Sequence, residues 1–360
     1  MKYGLLVTSP VSNYKNIGDY VQSLAAKQFL KDDYCFIDKE TVSEFDSEEP
    51  VKVIMNAWYM WHPENWPPKD CIIPLLTSMH ITPLTASKML SNEGKAYLIK
   101  HGPVGCRDIG TQKILEEAGI PCYFSACLTL TLGKNYRYEG QRQGVVFANP
   151  FIPPLKYIIN GKRTKYFPMN LIKGIFYYIG NRRVVNELIK RHTYFKGRYR
   201  IQTMYNAGMF YHIYSSRFSD AVLVSADFVS HIVPVNNDDD KALLDRAEKL
   251  VLQYSKANLV VTSRIHCALP CLGLETPLVF VLASEMQSKD NMFNAPNRFG
   301  GLDEFFRIMN IDKGKLVTND EELSKIGVID GNTNFRNKRN WIGFRDKLIS
   351  QCERFVNKTY

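Results

Sequence analysis

Two kinds of apolar run alternate along this chain. One kind is short and unbroken, as in Tyr3–Thr8, Val51–Met55, Pro121–Ser125, Gly144–Asn149, Asn258–Thr262 and Pro277–Leu282. Runs of that length suit strands buried on both faces. Lys95–Ile99, Val104–Arg107, Ala221–Val224 and Phe228–Val233 are shorter strand candidates. The other kind recurs at helical spacing. Val21, Leu24, Ala25 and Leu30 line one face over Asp19–Leu30, and Leu243, Leu244, Ala247, Leu250, Val251 and Tyr254 line another over Asp240–Tyr254. Thr111–Ala118 reads as a helix ended by Gly119, where a left-handed residue is wanted. Ser263–Leu274 reads as a helix that Pro270 kinks.

Strands and helices taking turns predict an α/β fold with mostly parallel sheets. The expected layout is two Rossmann-like domains facing a cleft, over residues 1–135 and 136–335. A C-terminal helix over 336–360, marked by Trp341, Phe344, Leu348, Cys352 and Phe355, is expected to return toward the first domain.

The length of 360 residues accommodates two cores, and 45% apolar with 23% charged residues is an ordinary globular composition. No apolar run reaches the roughly 18–20 residues of a membrane span. The opening run has no small-residue cleavage site, so the expectation is a cytoplasmic protein. Eight cysteines are scattered without a Cys-x-x-Cys pair, so neither a metal site nor a redox motif is signalled, and buried free thiols are expected.

Charge changes the picture at one place. The net charge is +10, and twelve basic residues against the single acid Glu187 fall between Phe151 and Arg200. They interleave with large apolar residues, as in Leu171-Ile172-Lys173-Gly174-Ile175-Phe176-Tyr177-Tyr178-Ile179. Such a segment suits an anionic membrane surface or a lipid-linked diphosphate. It also suits nucleic acid, or a solvated insertion with no partner.

Four segments at strand ends carry candidate chemistry. In Thr262-Ser263-Arg264-Ile265-His266 a buried strand meets a helix, with Ser263 as the expected N-cap. Open α/β sheets bind ligands beyond the carboxyl ends of their strands, and a helix N-terminus attracts anions. Arg264 and His266 there make an anion site with a titratable group, or else a surface ion pair and a packing residue. Asn16-Ile17-Gly18-Asp19 follows the first strand; Asp19 with Gln22 reads as a capping box, and Gly18 permits close approach. It is not the dinucleotide signature, so NAD is not indicated. Residues 55–68 hold three of the four tryptophans. Asn56, Trp58, Trp61, His62, Glu64 and Asn65 of this loop suit a sugar's faces and hydroxyls, or a domain interface. Arg107 and Asp108 suit an anion, or a structural salt bridge. His231, Lys289 and Arg298 are weaker candidates.

Taken together, Asn16-Ile17-Gly18-Asp19, Arg107-Asp108, Ser230-His231 and Thr262-Ser263-Arg264-Ile265-His266 with Gly273-Leu274-Glu275-Thr276-Pro277 resemble the polysaccharide pyruvyl transferase family. Glu275 stands where that family usually has glycine, and residues 150–210 match nothing in it. The resemblance implies a GT-B-like fold, with the first domain on the acceptor side and the second on the donor side. It implies phosphoenolpyruvate as co-substrate, no cofactor, and a hexose acceptor that gains a cyclic pyruvate ketal. Arg107, Arg264 and His266 are then the donor contacts, with Ser263 and a downstream lysine, Lys289, assisting. His266 is the candidate acid, and Asp19, His62 or Glu64 the candidate base. Asn16, Asp19, Asn56, Trp58, Trp61, His62 and Glu64 are left for the acceptor.

The basic segment adds a lipid-diphosphate-linked oligosaccharide as the expected acceptor, galactose by family habit, and a peripheral position at the inner face of the cell membrane. The runner-up is a glycosyltransferase of the same architecture using a nucleotide sugar. A nucleic-acid-binding protein is third and is not expected.

Overall fold

Tyr3–Val7 contains no polar residue, and the strand Lys2–Val7 is buried from Tyr3 onward, as an interior strand of a parallel sheet must be. In the computed structural model it pairs in parallel with Tyr34–Asp38 on one side and Val51–Ile54 on the other, and Ile72–Leu75 follows Val51–Ile54. Two short strands, Val104–Cys106 and Cys122–Phe124, continue this layer. Gly105 N donates to Leu76 O, and Met79 N to Gly105 O, each at 2.9 Å. The structure describes residues 2–8, 14–31, 33–154, 158–159, 162–163, 167–234, 239–283 and 299–358. Lys289 and Arg298 lie outside these.

A second sheet has the order Asp227–Val229, Val145–Ala148, Leu259–Thr262, Leu278–Ala283, Ile308–Asp312, Lys315–Val317. The first five strands are parallel. The last turns back through Lys313 and Gly314, both at positive φ, which is the two-residue turn that matches strand twist. The protein is thus α/β with mostly parallel sheets. One apolar core joins Leu5, Tyr20 and Leu24 of the first layer to Leu244, Val260, Leu269 and Phe280 of the second. Gly133 and Gly273 lie backbone to backbone: a Cβ on Gly133 would stand 2.0 Å from Gly273 O, so larger residues are excluded. The helix Ile342–Asn357 lies against the first sheet, where the buried Lys52 amino group donates to Phe355 O at 2.8 Å and Val356 O at 3.0 Å. A cation at a helix C-terminus satisfies carbonyls that have no partner within the helix. No helix among the described residues is long and apolar enough to cross a membrane.

Several expectations need correction. Lys95–Ile99 is helical, inside Asn92–His101, because Ser91 caps Gly94 N and Glu93 occupies the first turn. Ala221–Val224 is also helical, inside Asp220–Ser225, with Ser219 capping Val222 N. Both were apolar runs too short for periodicity to distinguish the two forms. Phe228–Val233 is broken at Ser230-His231. Asp227–Val229 joins the six-stranded sheet, while Ile232–Pro234 pairs antiparallel with Tyr14–Asn16. That small ladder pins the Asn16 turn to the second sheet.

Candidate functional site

The buried strand Leu259–Thr262 reaches helix Ile265–Gly273 through a two-residue link. Thr262 organises the link: its hydroxyl donates to Ala148 O at 2.7 Å and accepts from Arg264 N at 3.0 Å. The Ser263 hydroxyl donates to Asn149 O at 3.0 Å, so Ser263 is not the N-cap. The cap position falls to Arg264, whose side chain makes no capping bond and is exposed. A guanidinium does not give up its proton in a protein, so Arg264 is a cation at the start of this helix.

A second strand end meets the first. Helix Ile17–Lys27 begins two residues earlier than its pattern predicts, because Asn16 is the cap and accepts from Gly18 N at 3.1 Å. Asp19 therefore sits in the first turn rather than at the cap, within 3.5 Å of both Asn16 Nδ2 and Gln22 Nε2. Gly18 is in close contact: a Cβ there would stand 3.1 Å from His266 Cβ and 3.2 Å from His231 Nδ1. His231 is buried and fixed from three sides. Its N–H donates to Asn149 Oδ1 at 2.7 Å, its carbonyl accepts from Ile17 N at 2.7 Å, and its Nε2 lies 2.7 Å from the Tyr254 hydroxyl. It holds the two segments together.

The third contribution comes from Arg107, only 2% exposed at the end of Val104–Cys106. Its Nη1 lies 3.5 Å from His266 Nε2, although 159 residues separate the two in sequence. Arginine can only donate, so in this contact Nε2 is the acceptor. Asp108 orients the arginine, with Oδ2 at 3.3 Å from Arg107 Nε and 2.6 Å from His80 Nδ1. Its Oδ1 caps helix Ile109–Glu117 by accepting from Thr111 N at 2.9 Å. Burial acts to raise the Asp108 pKa, but His80, Arg107 and the Thr111 N–H outweigh it and hold the carboxyl at about 2.

Beside Asp19 is a small pocket lined by Val7, Thr8, Gln22, Ser23, Lys39 and Asn56. Lys39 and Glu40 are the functional candidates that the sequence reading missed. They follow strand Tyr34–Asp38 and form a buried ion pair at 2.6 Å. Lys39 Nζ also lies 4.6 Å from the centre of the Trp58 ring. Glu40 Oε2 accepts from Trp61 N at 2.8 Å and His62 N at 3.0 Å, which anchors the aromatic loop. Of that loop, Asn56 enters the pocket, with its amide nitrogen donating to Gln22 O at 2.9 Å. Trp58 and Trp61 meet edge to face. His62 and Glu64 pair with each other at 3.0 Å on the exposed outer side. Among the described residues no cluster of three or more His, Cys, Asp or Glu side chains is placed to hold a metal ion.

Burial raises the Asp19 pKa above its ordinary 3.8, opposed by Lys39 and Arg107. The folded chain then holds this proton to higher pH than the unfolded chain does. Ionised Asp19 therefore lowers stability as pH climbs past 3.8, and the penalty is complete above the folded value. Asp19→Asn is expected to raise the melting temperature at pH 7–8, with a gain that vanishes below about pH 3.8. Melting curves across pH check this, and an Asn variant less stable at neutral pH contradicts it.

A family model described as polysaccharide pyruvyl transferase matches residues 16–285, which is most of the chain. The match begins on the Asn16 cap and includes Arg107, His231, Arg264 and His266, but not Lys289 or Arg298. No curated protein and no solved structure matches the chain.

Proposed function

Since the chain belongs to the polysaccharide pyruvyl transferase family, we propose that it moves the enolpyruvyl unit of phosphoenolpyruvate onto a hexose, galactose first among them, of a lipid-linked capsular or exopolysaccharide precursor. The product is a cyclic pyruvate ketal. The observation that carries this reading is the contact between Arg107 and His266 beside Gly18, with Arg264 two residues away in the chain. Phosphoenolpyruvate has a phosphate and a carboxylate. A site for it needs two cations at a helix N-terminus and one group able to move a proton. We read the two sheets as the two halves of a GT-B-like arrangement, with residues 1–135 on the acceptor side and 136–335 on the donor side.

In this scheme Arg107 and Arg264 bind the donor's two anionic groups, and Ser263 holds the backbone of the link. Engagement of Arg107 by the donor frees His266 Nε2 to carry a proton. That proton passes to the methylene carbon and leaves an oxocarbenium-like carbon at the enol position. One sugar hydroxyl attacks it, the carbon–oxygen bond to phosphate breaks, and a second hydroxyl closes the ketal. Of the two hydroxyl protons, one replaces that given by His266 and the other leaves with phosphate. In this scheme Asp19, which lines the pocket with Lys39 and Asn56, accepts the first and returns it to His266 once the ketal has formed. Burial pushes the Asp19 carboxyl upward, which makes its ionised form a stronger proton acceptor. The reading needs no cofactor. It places the enzyme in the cytoplasm, peripheral to the inner face of the membrane.

The test is incubation with phosphoenolpyruvate and lipid-linked or simple galactosides. The expected result is phosphate release together with a product heavier by one pyruvyl ketal. Absence of turnover with every hexose acceptor overturns it, as does thermal stabilisation by a uridine or guanosine diphosphate sugar in place of phosphoenolpyruvate.

A further inference from the structure

Among the described residues, the helix Phe167–Gly180 is held by one face. Its Gly174 lies against Tyr205 and Met209, Gly208 against Gly174 O, and the Tyr177 ring stacks on His212 at 3.6 Å. All four partners belong to helix Arg200–Tyr214. The opposite face carries Met169, Ile172, Phe176 and Ile179, at intervals of three, four and three residues, which is one continuous stripe. These residues are 55%, 68%, 70% and 63% exposed. Large apolar side chains left this open in register mark a surface with a partner. Tyr199 and Ile201, 61% and 50% exposed, stand at the start of the supporting helix.

Charge identifies the partner. Lys173 borders the stripe, and Arg182, Arg183, Lys190, Arg191, Lys196, Arg198 and Arg200 are all exposed in the adjoining elements. The one acid of the segment, Glu187, is already paired with Arg191 at 2.8 Å. An apolar stripe with a cationic border matches the boundary between acyl chains and anionic headgroups, in which such a helix lies flat. We propose that Phe167–Gly180 docks onto an anionic lipid surface through Met169, Ile172, Phe176 and Ile179. This deepens the lipid-linked reading above, on which its biological sense rests: an acceptor on a lipid carrier is presented at that same surface.

Vesicle sedimentation of the full chain tests it. Vesicles of phosphatidylcholine alone are compared with vesicles one third phosphatidylserine, at low and high salt. The expected result is binding to the anionic vesicles that weakens with salt, and at least a tenfold loss of binding in Ile172→Glu/Phe176→Glu. Ile172→Ser/Phe176→Ser, which adds no charge, is expected to lose binding as well. Both pairs lie outside the donor and acceptor groups, so turnover with a water-soluble galactoside is expected to stay unchanged. Vesicle binding is read without turnover, so it survives if the pyruvyl reading fails. Equal binding by wild type and both variants overturns the proposal. So does failure of wild type to bind either vesicle, or a dimer in solution that the serine variant dissociates.

Discussion

Replacing His266 by glutamine is expected to lower kcat about 10²- to 10⁴-fold, the range for losing a positioned general acid. The donor's KM should change far less. The Arg107 guanidinium 3.5 Å away and Arg264 at the helix start both remain, and these are the groups assigned to the anion. Arg264→Ala should behave in the opposite way, raising KM for phosphoenolpyruvate with a smaller effect on kcat, because it removes an interaction present in ground state and transition state alike. Steady-state kinetics on both variants separates the roles. If His266→Gln kept near-normal turnover, the proton would have to come from elsewhere, and the buried His231 beside Gly18 would be the next group to examine.

Why some of this was readable in the chain and some was not follows from distance along it. Leu259–Thr262 and the helix after it are one contiguous segment, so an apolar run followed by Ser-Arg-Ile-His places two candidate side chains beyond a strand end. The cap itself was misread: Thr262 and Ser263 both have hydroxyls, and the parallel neighbour Val145–Ala148, which draws Ser263 onto Asn149 O, cannot be seen from local spacing. The same holds at Asn16, where either Asn16 or Asp19 could cap, and the pairing of Asn16 with Ile232 decides for Asn16.

Long-range partners are harder. Arg107 was visible as a cation at a strand end, but its contact with His266 depends on how two sheets face each other. His80 offered no signal at all, because it gains its meaning from Asp108, 2.6 Å away through the layer of short strands. Lys39-Glu40 was discoverable in principle. Tyr34-Cys35-Phe36-Ile37 is itself a short unbroken apolar run, flanked by Asp33 and Asp38, and it forms the edge strand of the first sheet. Recognised as a strand, it would have put Lys39 beyond a carboxyl end, beside the Asn16 turn.

Asp108 is where the largest loss of stability is expected. The Asp108→Asn change keeps the shape of the side chain but removes a buried charge that faces His80 at 2.6 Å and Arg107 at 3.3 Å. Each pKa unit of stabilisation corresponds to about 1.4 kcal/mol, and the carboxyl is held at about 2 against an ordinary 3.8. A loss of about 2–3 kcal/mol at neutral pH is therefore expected for the amide. Asp108→Ala should lose about 3–5 kcal/mol, because it also leaves Arg107 Nε and the Thr111 N–H without this acceptor. The contribution is present above pH 3.8 and disappears as pH falls toward about 2, so the gap between wild type and variant should close across that window. Urea unfolding at a series of pH values measures it. Turnover should fall together with stability, since the carboxylate that supports the fold also aims Arg107 at His266. A variant that lost stability yet kept full turnover would show that Arg107 is positioned without Asp108.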